Sequence, residues 1–374
     1  MITLDAPLNA LIHGAQTLPQ IPLCALSAYH HHTAAMVAQV DAALSARDDI
    51  RHLIGSNPLQ VMFDNHKHHA AFMTSVFSTG NYELLARTLP WVYQVYATRN
   101  FCYDYFPVEL KAWMEALESH LSPEDAEPVC AVYAWMLSEH QNVIHLALNN
   151  DSSASPPLDP EWLEQKNAFL SALLSGEHRR CVRLAESLVK TSADLEGFYL
   201  NIVQPCMYEV GILWERGFIS VAQEHLASSI VGRVLAQVSM IDISASPLEA
   251  RAIVTAAPDE FHEIGAWMVS DILEHDGWKV RYLGANTPVE DLIKMLKSFR
   301  PHILAISVTM PFNLHKARQT IEQIRTQADL KDVYIIVGGS AFNSSSELWR
   351  STGADAWAGN IHELRNITAR FKAA

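Results

Sequence analysis

The sequence lacks several features that mark whole classes of protein. Its cysteines are few, irregularly spaced and without a C-x-x-C pair: Cys24, Cys102, Cys130, Cys181 and Cys206. This pattern excludes a zinc ribbon and a disulfide framework, and it indicates a reducing compartment. The chain also has a formal net charge of −14 and no run of lysine or arginine. Because a phosphate-backbone binder needs a basic face, we expect no nucleic-acid partner.

Long apolar runs are also missing. No stretch approaches the roughly 18 uncharged apolar residues of a membrane span. The first residues, MITLDAPLNALIHG, lack the basic start and apolar run of a secretory signal. We therefore expect a cytoplasmic protein without a membrane partner. Hydrophobic residues make up 49% of the 374 residues, which is enough for two or three domains that each bury a core.

The spacing of these hydrophobic residues divides the first two thirds of the chain. Residues 1–148 show helical periodicity and predict an all-α N-terminal domain, with an aromatic-rich stretch from Trp91 to Trp113. Residues 149–160, NNDSSASPPLDP, sustain neither a helix nor a core and predict a linker. Residues 161–245 again have helical spacing, which is typical of a small bundle.

Residues 250–374 have a different pattern, in which short apolar runs alternate with helical stretches. Such runs predict the strands of a parallel sheet that helices cover on both faces. The strand candidates are AIVTAA (252–257), WKVRYLG (278–284), HILAISV (302–308), VYIIVGG (333–339) and ADAWAG (354–359). We predict a five-stranded, doubly wound α/β domain of the flavodoxin-like, Rossmann type. Its ligand should lie outside the carboxyl ends of the strands.

Three short motifs fall at those carboxyl ends. They are Glu260-x-His262-x-x-Gly265 after the first strand candidate, Ser307-Val308-Thr309 at the end of the third and Gly338-Gly339 at the end of the fourth. An imidazole suits a first-row transition metal, and a nearby carboxylate can hold its other ring nitrogen. A single H-x-x-G is usually an ordinary loop. Three motifs on the same edge of one sheet indicate a ligand site.

This set of motifs resembles the cobalamin-binding domain of methionine synthase, corrinoid methyl carriers and B12-dependent photoreceptors. The pattern there is D-x-H-x-x-G, S-x-L and GG, so Glu260 replaces Asp and Thr309 replaces Leu in this chain. The resemblance implies that cobalamin binds base-off, with His262 as the lower cobalt ligand and Glu260 holding its second nitrogen.

The same resemblance implies roles for the other motif positions. Gly265 would let the start of a helix approach the corrin closely. Ser307 would form a hydrogen bond to the buried benzimidazole of the cofactor. Gly338 and Gly339 would leave room for the nucleotide tail.

A further motif lies in the helical segment 161–245. Gly217 stands where a helix would end, and Ser220-x-x-Gln223 is a capping box that begins the next helix. Trp214 therefore ends one helix, and Glu224 and His225 begin the next. The short turn between them can direct all three side chains toward one end of the bundle.

The combination of a tryptophan and a following Glu-His pair resembles the cap of B12-dependent photoreceptors of the light-responsive repressor type. The resemblance implies adenosylcobalamin as chromophore, with Trp214 and Glu224 covering its 5′-deoxyadenosyl group. It also implies that His225 becomes the upper cobalt ligand after light breaks the cobalt–carbon bond. Taken singly, these residues also fit a bundle core and an exposed helix start.

The N-terminal domain has no recognisable DNA-recognition helix. The layout resembles the photocobilins, in which a helical N-terminal domain binds biliverdin beside an adenosylcobalamin module. Candidate bilin contacts are His66, His68, His69, Arg99 and Tyr103, with Cys24 or Cys102 open to covalent attachment. The alternatives are a plain aromatic core, a solvated face at residues 66–69, and a domain for dimerisation or partner docking.

Three functions stay open. The first is a light sensor without turnover, whose signal leaves through a homo-oligomer or a protein partner because no output domain is recognised. The second is a corrinoid carrier subunit of a methyltransferase system, and a B12 store is a third. Trp214, Glu224 and His225 favour the sensor, since a bulky cap would hinder methyl transfer.

Overall fold

The computed structural model describes residues 5–149, 160–241, 245–344 and 347–371. The chain divides into two units, Met1–Ser152 and Ser153–Ala374. The linker that the sequence predicts at 149–160 falls almost wholly outside the described residues. Within the described ranges, no helix combines the length and the apolar character that crossing a membrane requires.

The N-terminal unit is all-helical in its described part, as the sequence predicts. Its helices are α1 (Asp5–Gln16), α2 (Leu23–Ser45), α3 (Ile50–Ile54), α4 (Leu59–Thr79), α5 (Tyr82–Thr98), α6 (Tyr105–His120), α7 (Pro123–Ser138) and α8 (His140–Leu148). Local hydrogen bonds begin two of them. The side chain of Asn81 accepts from Leu84 N at the start of α5, and that of Ser122 accepts from Asp125 N at the start of α7.

Aromatic rings fill the centre of this unit. Helix α2 packs against α4, α6 and α7. The largest fully buried side chains here include Tyr29, Tyr105, Trp113 and Tyr133. The stretch from Trp91 to Trp113 contributes further contacts, since the ring of Tyr93 stacks on that of Phe106 with centroids 3.6 Å apart. The aromatic-rich stretch therefore builds the core of this unit.

The histidine-rich part of α4 is not the solvated face that its sequence favours. Lys67 and His68 are exposed, but His66 is completely buried and His69 is partly buried. The physical reason is helical geometry, because residues four apart share a face. His66 lies on the same face as the buried Ala70, and that face packs inward.

The second unit begins with a helical bundle. Its elements are a 3-10 turn (Pro160–Trp162), α9 (Leu163–Leu174), α10 (His178–Leu188), α11 (Ser192–Phe198), a π-helical turn (Tyr199–Val203), α12 (Gln204–Glu215) and α13 (Val221–Val238). Capping boxes at Thr191 and Ser220 begin α11 and α13. These two helix starts are therefore specified by residues within the same few positions of sequence.

A parallel α/β domain follows the bundle. Its strands are β1 (Arg251–Ala256), β2 (Lys279–Tyr282), β3 (Ile303–Ser307), β4 (Tyr334–Gly338) and β5 (Ala356–Ala358), and its helices are α14 (Ile264–His275), α15 (Val289–Phe299), α16 (Leu314–Arg325) and α17 (Ile361–Thr368). All five predicted strands are present with slightly different limits. The order is β2-β1-β3-β4-β5 and every neighbouring pair is parallel. This confirms the flavodoxin-like fold and sets the ends of β1, β3 and β4 side by side.

The bundle and the α/β domain share a buried core. Met268 and Ile272 of α14 and Ile361 of α17 pack among the apolar residues of the bundle. A polar contact joins the same elements, because Tyr199 OH donates a hydrogen bond of 2.6 Å to Oδ2 of Asp271 on α14. Burial raises the pKa of Asp271 to about 7. The bundle is thus attached to the helix that starts next to the β1 loop.

Candidate functional site

The loop after β1 is organised around one buried carboxylate, that of Glu260. Its Oε1 accepts a hydrogen bond from the backbone N of His262 at 3.0 Å and lies 2.6 Å from Nδ1 of the same residue. Its Oε2 accepts from the backbone N atoms of Thr309 and Met310 at 3.0 and 2.9 Å. Asn313 Nδ2 donates to the same oxygen at 3.1 Å. Glu260 therefore joins the β1 loop to the chain that follows β3.

These hydrogen bonds orient the imidazole of His262. Burial disfavours the charged form of Glu260, but the hydrogen bonds from His262 and Met310 outweigh it and keep the pKa of this carboxyl low. The hydrogen bond with Glu260 raises the pKa of His262. In the described part of the chain no group forms a hydrogen bond with Nε2, and the His262 side chain is 55% exposed. Glu260 thus fixes Nδ1 and leaves Nε2 available, which is the common arrangement of a histidine that binds a metal.

Asn313 and Asp259 complete this loop, although the sequence motifs contain neither. The buried Asn313 also donates to the carbonyl of Asp259 at 3.3 Å. Asp259 has a φ of 62°, a conformation that aspartate and asparagine tolerate better than most residues. Its backbone N donates to Asn286 Oδ1 at 2.9 Å. Sequence reasoning missed Asn313 because only the fold brings it back to Glu260.

The other motif residues lie along the carboxyl edge of the sheet. The register pairs Ser307 with Gly338. A Cβ on Gly265 would lie 4.0 Å from Oγ of Ser307, so the start of α14 leaves that hydroxyl uncrowded. Gly339 has a φ of 99°, and a Cβ there would lie 2.2 Å from the carbonyl oxygen of Val308. The backbone alone therefore requires glycine at position 339.

The turn between α12 and α13 has the form that its sequence predicts. Trp214 is half-buried in the last turn of α12, and Gly217 follows with a φ of 72°. The Ser220 hydroxyl accepts a hydrogen bond of 3.3 Å from Gln223 N and caps α13. Glu224 is in the first turn of α13. The two helix ends are therefore adjacent, as the capping signals require.

Glu224 and His225 have different surroundings. Ser228 Oγ donates to Oε1 of Glu224 at 2.8 Å. Glu224 also acts electrostatically on His262, where it adds to the larger effect of Glu260 in raising the imidazole pKa. His225 Nε2 lies 3.4 Å from Oε2 of Glu224, and the His225 side chain is 74% exposed. The structure thus brings Glu224 toward the Glu260–His262 pair and leaves His225 largely in solvent.

Exposed apolar side chains accompany both motifs. Phe261, in the β1 loop, is 71% exposed, and Phe218 and Val221, in the cap turn, are 71% and 48% exposed. Scattered exposed apolar side chains are common on protein surfaces, so these three gain meaning only from their place in the two motifs. With the available Nε2 of His262, they are compatible with a ligand that carries a metal and apolar surface, as a corrinoid does.

Comparison with known families covers both parts of this unit. Residues 165–239 and residues 250–363 each match a family described as B12 binding domain. The chain is 27% identical over 191 residues to the HTH-type transcriptional repressor CarH of Myxococcus xanthus, covering 51% of this chain and 62% of the repressor. It is 28% identical over 186 residues to the repressor CarA of the same organism, covering 50% and 62%. The second unit of this chain therefore carries B12-binding domains, and we call it the B12-binding unit.

The B12-binding unit is also similar to corrinoid proteins. Dimethylamine corrinoid protein 1 of Methanosarcina acetivorans is 25% identical over 160 residues, which cover 42% of this chain and 74% of that protein. The chain spans less than two thirds of the length of each repressor that it matches. The names of these relatives describe different functions, transcriptional repression in one case and a corrinoid protein in the other.

The N-terminal unit lies outside both matched B12-binding segments, and its candidate bilin residues fall in two places. His66 and His69 are turned inward: Nε2 of His66 lies 2.8 Å from Tyr105 OH, and Nε2 of His69 lies 3.0 Å from Tyr133 OH. Burial lowers the pKa of His69 to about 3, so its imidazole is neutral. The fold therefore places these two histidines among buried tyrosines.

The other candidates do not join that pair. His68 is exposed on α4, and Cys24 is exposed on α2. Arg99 donates to the carbonyl of Val95 at 3.1 Å, near the end of α5. The ring of Tyr103 lies 6.1 Å from that of Tyr93. These contacts are local to the α5–α6 connection or to the surface.

Proposed function

We propose that this protein is a light sensor that binds adenosylcobalamin base-off, with His262 as the lower cobalt ligand. The observation that carries the proposal is the buried carboxylate of Glu260, which lies 2.6 Å from Nδ1 of His262 and leaves Nε2 for the metal. The B12-binding domains and the similarity to CarH and CarA support it. The chain carries out no turnover in this proposal.

The cap residues provide the response to light. When bound, adenosylcobalamin supplies a cobalt–carbon bond that light breaks. Trp214 and Glu224 would cover the adenosyl group, and His225 would supply a second imidazole to cobalt once that group is lost. The His225 side chain is 74% exposed, so it can change rotamer at little cost.

The signal leaves through a change in association between copies of this chain or with a protein partner. Without the adenosyl group, Trp214 and Glu224 would lose the contacts proposed for them, and a packed interface responds to such a loss by shifting between discrete arrangements. The net charge of −14 supports an output that does not use nucleic acid.

A corrinoid carrier of a methyltransferase system is the second candidate. It is favoured by the similarity to dimethylamine corrinoid protein 1, which extends over 74% of that protein. The sensor is preferred because Trp214 and Glu224 above cobalt would obstruct methyl transfer to a partner enzyme.

The deciding experiment compares absorption spectra of the purified chain with adenosylcobalamin, in the dark and after green light. The sensor proposal expects a base-off, imidazole-bound spectrum in the dark. After light it expects a stable product distinct from free hydroxocobalamin. A carrier instead accepts and returns methyl groups, and its illuminated product resembles the free cofactor. That second outcome would overturn the sensor proposal.

We also propose biliverdin as a second chromophore, bound in the N-terminal unit. The buried His66 and Glu109 and the partly buried His69 lie among aromatic rings, and a bilin needs such polar partners for its propionates and pyrrole carbonyls. Adding biliverdin should give a protein-induced long-wavelength band. His69→Phe should remove the band, and the exposed control His68→Ala should keep it. If both variants keep the band, His69 takes no part in binding.

A further inference from the structure

Three potential metal ligands meet in the N-terminal unit, and none of them is a residue assigned so far to cobalamin. They are His52 on α3 and Cys102 and Asp104 in the connection between α5 and α6. Each offers one ligand atom, and these imidazole, thiol and carboxylate atoms all lie within 4.8 Å of one another. Sequence spacing gave no sign of the group, because α3 and the α5–α6 connection are far apart in the chain.

The backbone holds the two segments in fixed register. Cys102 N donates to the carbonyl of Leu53 at 2.8 Å. Asn57 Nδ2 donates to the carbonyls of Ile54 and Arg99 at 2.7 and 2.6 Å. The three side chains therefore project from a junction that hydrogen bonds of the backbone and of the Asn57 amide already hold, so a metal would need to order only the side chains themselves.

The three side chains contribute little to the packing and hydrogen bonding of the fold. His52 and Asp104 are exposed, and Cys102 is half-buried. Asp104 occupies the N-cap position of α6, yet its carboxylate does not cap the helix. Among the described residues, none of the three side chains has a hydrogen bond that would compete with a metal. His52 acts electrostatically on Asp49 and Asp104 on His140, and neither interaction requires the three side chains to meet.

We propose that His52, Cys102 and Asp104 bind a zinc ion, with water or a small ligand in the fourth position. Thiolate, imidazole and carboxylate are the ligands that zinc takes in tetrahedral sites, and three protein ligands leave one position open. Calcium and magnesium are excluded because they require oxygen ligands. Zinc here would clamp α3 to the α5–α6 connection and stabilise the N-terminal unit.

The experiment uses the full chain with cobalamin bound, kept in the dark. Equilibrium dialysis against zinc, with element-specific detection, counts zinc separately from the cobalt of the cofactor. Wild type should bind a single tight equivalent and show a higher melting temperature with zinc, since a ligand of the folded state stabilises it. Cys102→Ser should weaken zinc binding by at least about tenfold, because even partners of metal ligands change affinity by that much.

The controls separate this site from other zinc binding. Cys24→Ser, which removes an exposed thiol elsewhere, should bind zinc like wild type. Circular dichroism and the melting temperature without zinc should be the same for all variants, because the three side chains do not hold the fold. His52→Ala should behave like Cys102→Ser.

Two results would overturn the proposal. One is equal tight binding by wild type, Cys102→Ser and His52→Ala, which would assign the zinc to other histidines, such as the run His30–His32. The other is the absence of a tight equivalent in the wild-type chain.

Discussion

Two histidines of the B12-binding unit differ in how firmly the protein holds them. His262 has one ring nitrogen 2.6 Å from a fully buried carboxylate, which is itself held by Thr309, Met310 and Asn313. His225 has a single ion-pair distance of 3.4 Å to its neighbour Glu224 and is 74% exposed. One imidazole is oriented before any ligand arrives, and the other is free to reorient.

In the proposed sensor, His262 would therefore be the permanent cobalt ligand, and His225 would be a ligand only after illumination. A buried carboxylate that accepts from five donors cannot move without losing several hydrogen bonds, so His262 is suited to stay on the metal. An exposed side chain on the first turn of a helix changes rotamer at little cost. The proposed sensor needs both properties, so a substitution at either histidine should affect it in a different way.

The largest effect is expected for His262→Ala. Removing the proposed lower ligand should weaken cobalamin binding by more than about 100-fold, since loss of an outer partner alone costs about 10- to 100-fold. The dark spectrum should lose its imidazole-bound character. Equilibrium dialysis and the dark absorption spectrum measure both. An affinity and spectrum equal to wild type would show that His262 is not the ligand.

A smaller loss is expected for Glu260→Gln. The amide group would place its NH₂ against either the Nδ1 side of His262 or the backbone N atoms of Thr309 and Met310, so one set of hydrogen bonds is lost. Cobalamin affinity should fall by about 10- to 100-fold, and unfolding free energy by about 1–3 kcal/mol. Dialysis and urea unfolding measure the two. Unchanged affinity would mean that the orientation of His262 does not depend on this carboxylate.

Trp214→Ala tests the proposed contact between the cap and the adenosyl group. If Trp214 transmits the loss of the adenosyl group, light should change the association constant of the subunits about tenfold less in the variant than in wild type. This difference corresponds to about 1.4 kcal/mol. Size-exclusion chromatography with light scattering, in the dark and after complete photolysis, gives the measurement. A wild-type mass that light does not change, over a wide concentration range, would favour the carrier function.

Asp271→Asn tests the attachment of the bundle to α14. Burial raises the pKa of Asp271 to about 7 from an ordinary 3.8, so the protonated form favours folding. Its contribution is complete below about pH 4 and is lost as the pH rises through about 7. Relative to the Asn variant, wild type should therefore lose on the order of 1 kcal/mol of stability between pH 5 and pH 7. Urea unfolding at both pH values checks this, and parallel pH profiles would contradict it.

The smallest effect in the dark is expected for His225→Ala. Dark affinity for adenosylcobalamin should stay within about twofold of wild type, since an exposed side chain contributes little. The illuminated product should nevertheless differ, because the second imidazole is gone. Difference spectra after light supply the test. Identical light products would remove His225 from the mechanism and end the contrast with His262.

Much of the B12-binding unit was predictable from local patterns. The five strands, the flavodoxin-like order and the turn between α12 and α13 agree with the sequence predictions. The capping box at Ser220 and the helix-ending Gly217 can be recognised from a few consecutive residues. The hydrogen bonds of the capping box also join residues that are close together in the sequence. Motifs placed after parallel strands meet because all the carboxyl ends lie at one edge.

Contacts between distant segments were decided by the tertiary structure alone. Asn313 reaches Glu260, Tyr199 reaches Asp271, and His52 reaches Cys102 only after helices and strands have packed. His66 is buried because α4 turns that face inward, although its neighbours in sequence are polar. Short-range hydrogen bonds and apolar periodicity depend on residues that are close together in the sequence. The surroundings of a side chain depend on which elements pack against it, and no local pattern contains that information.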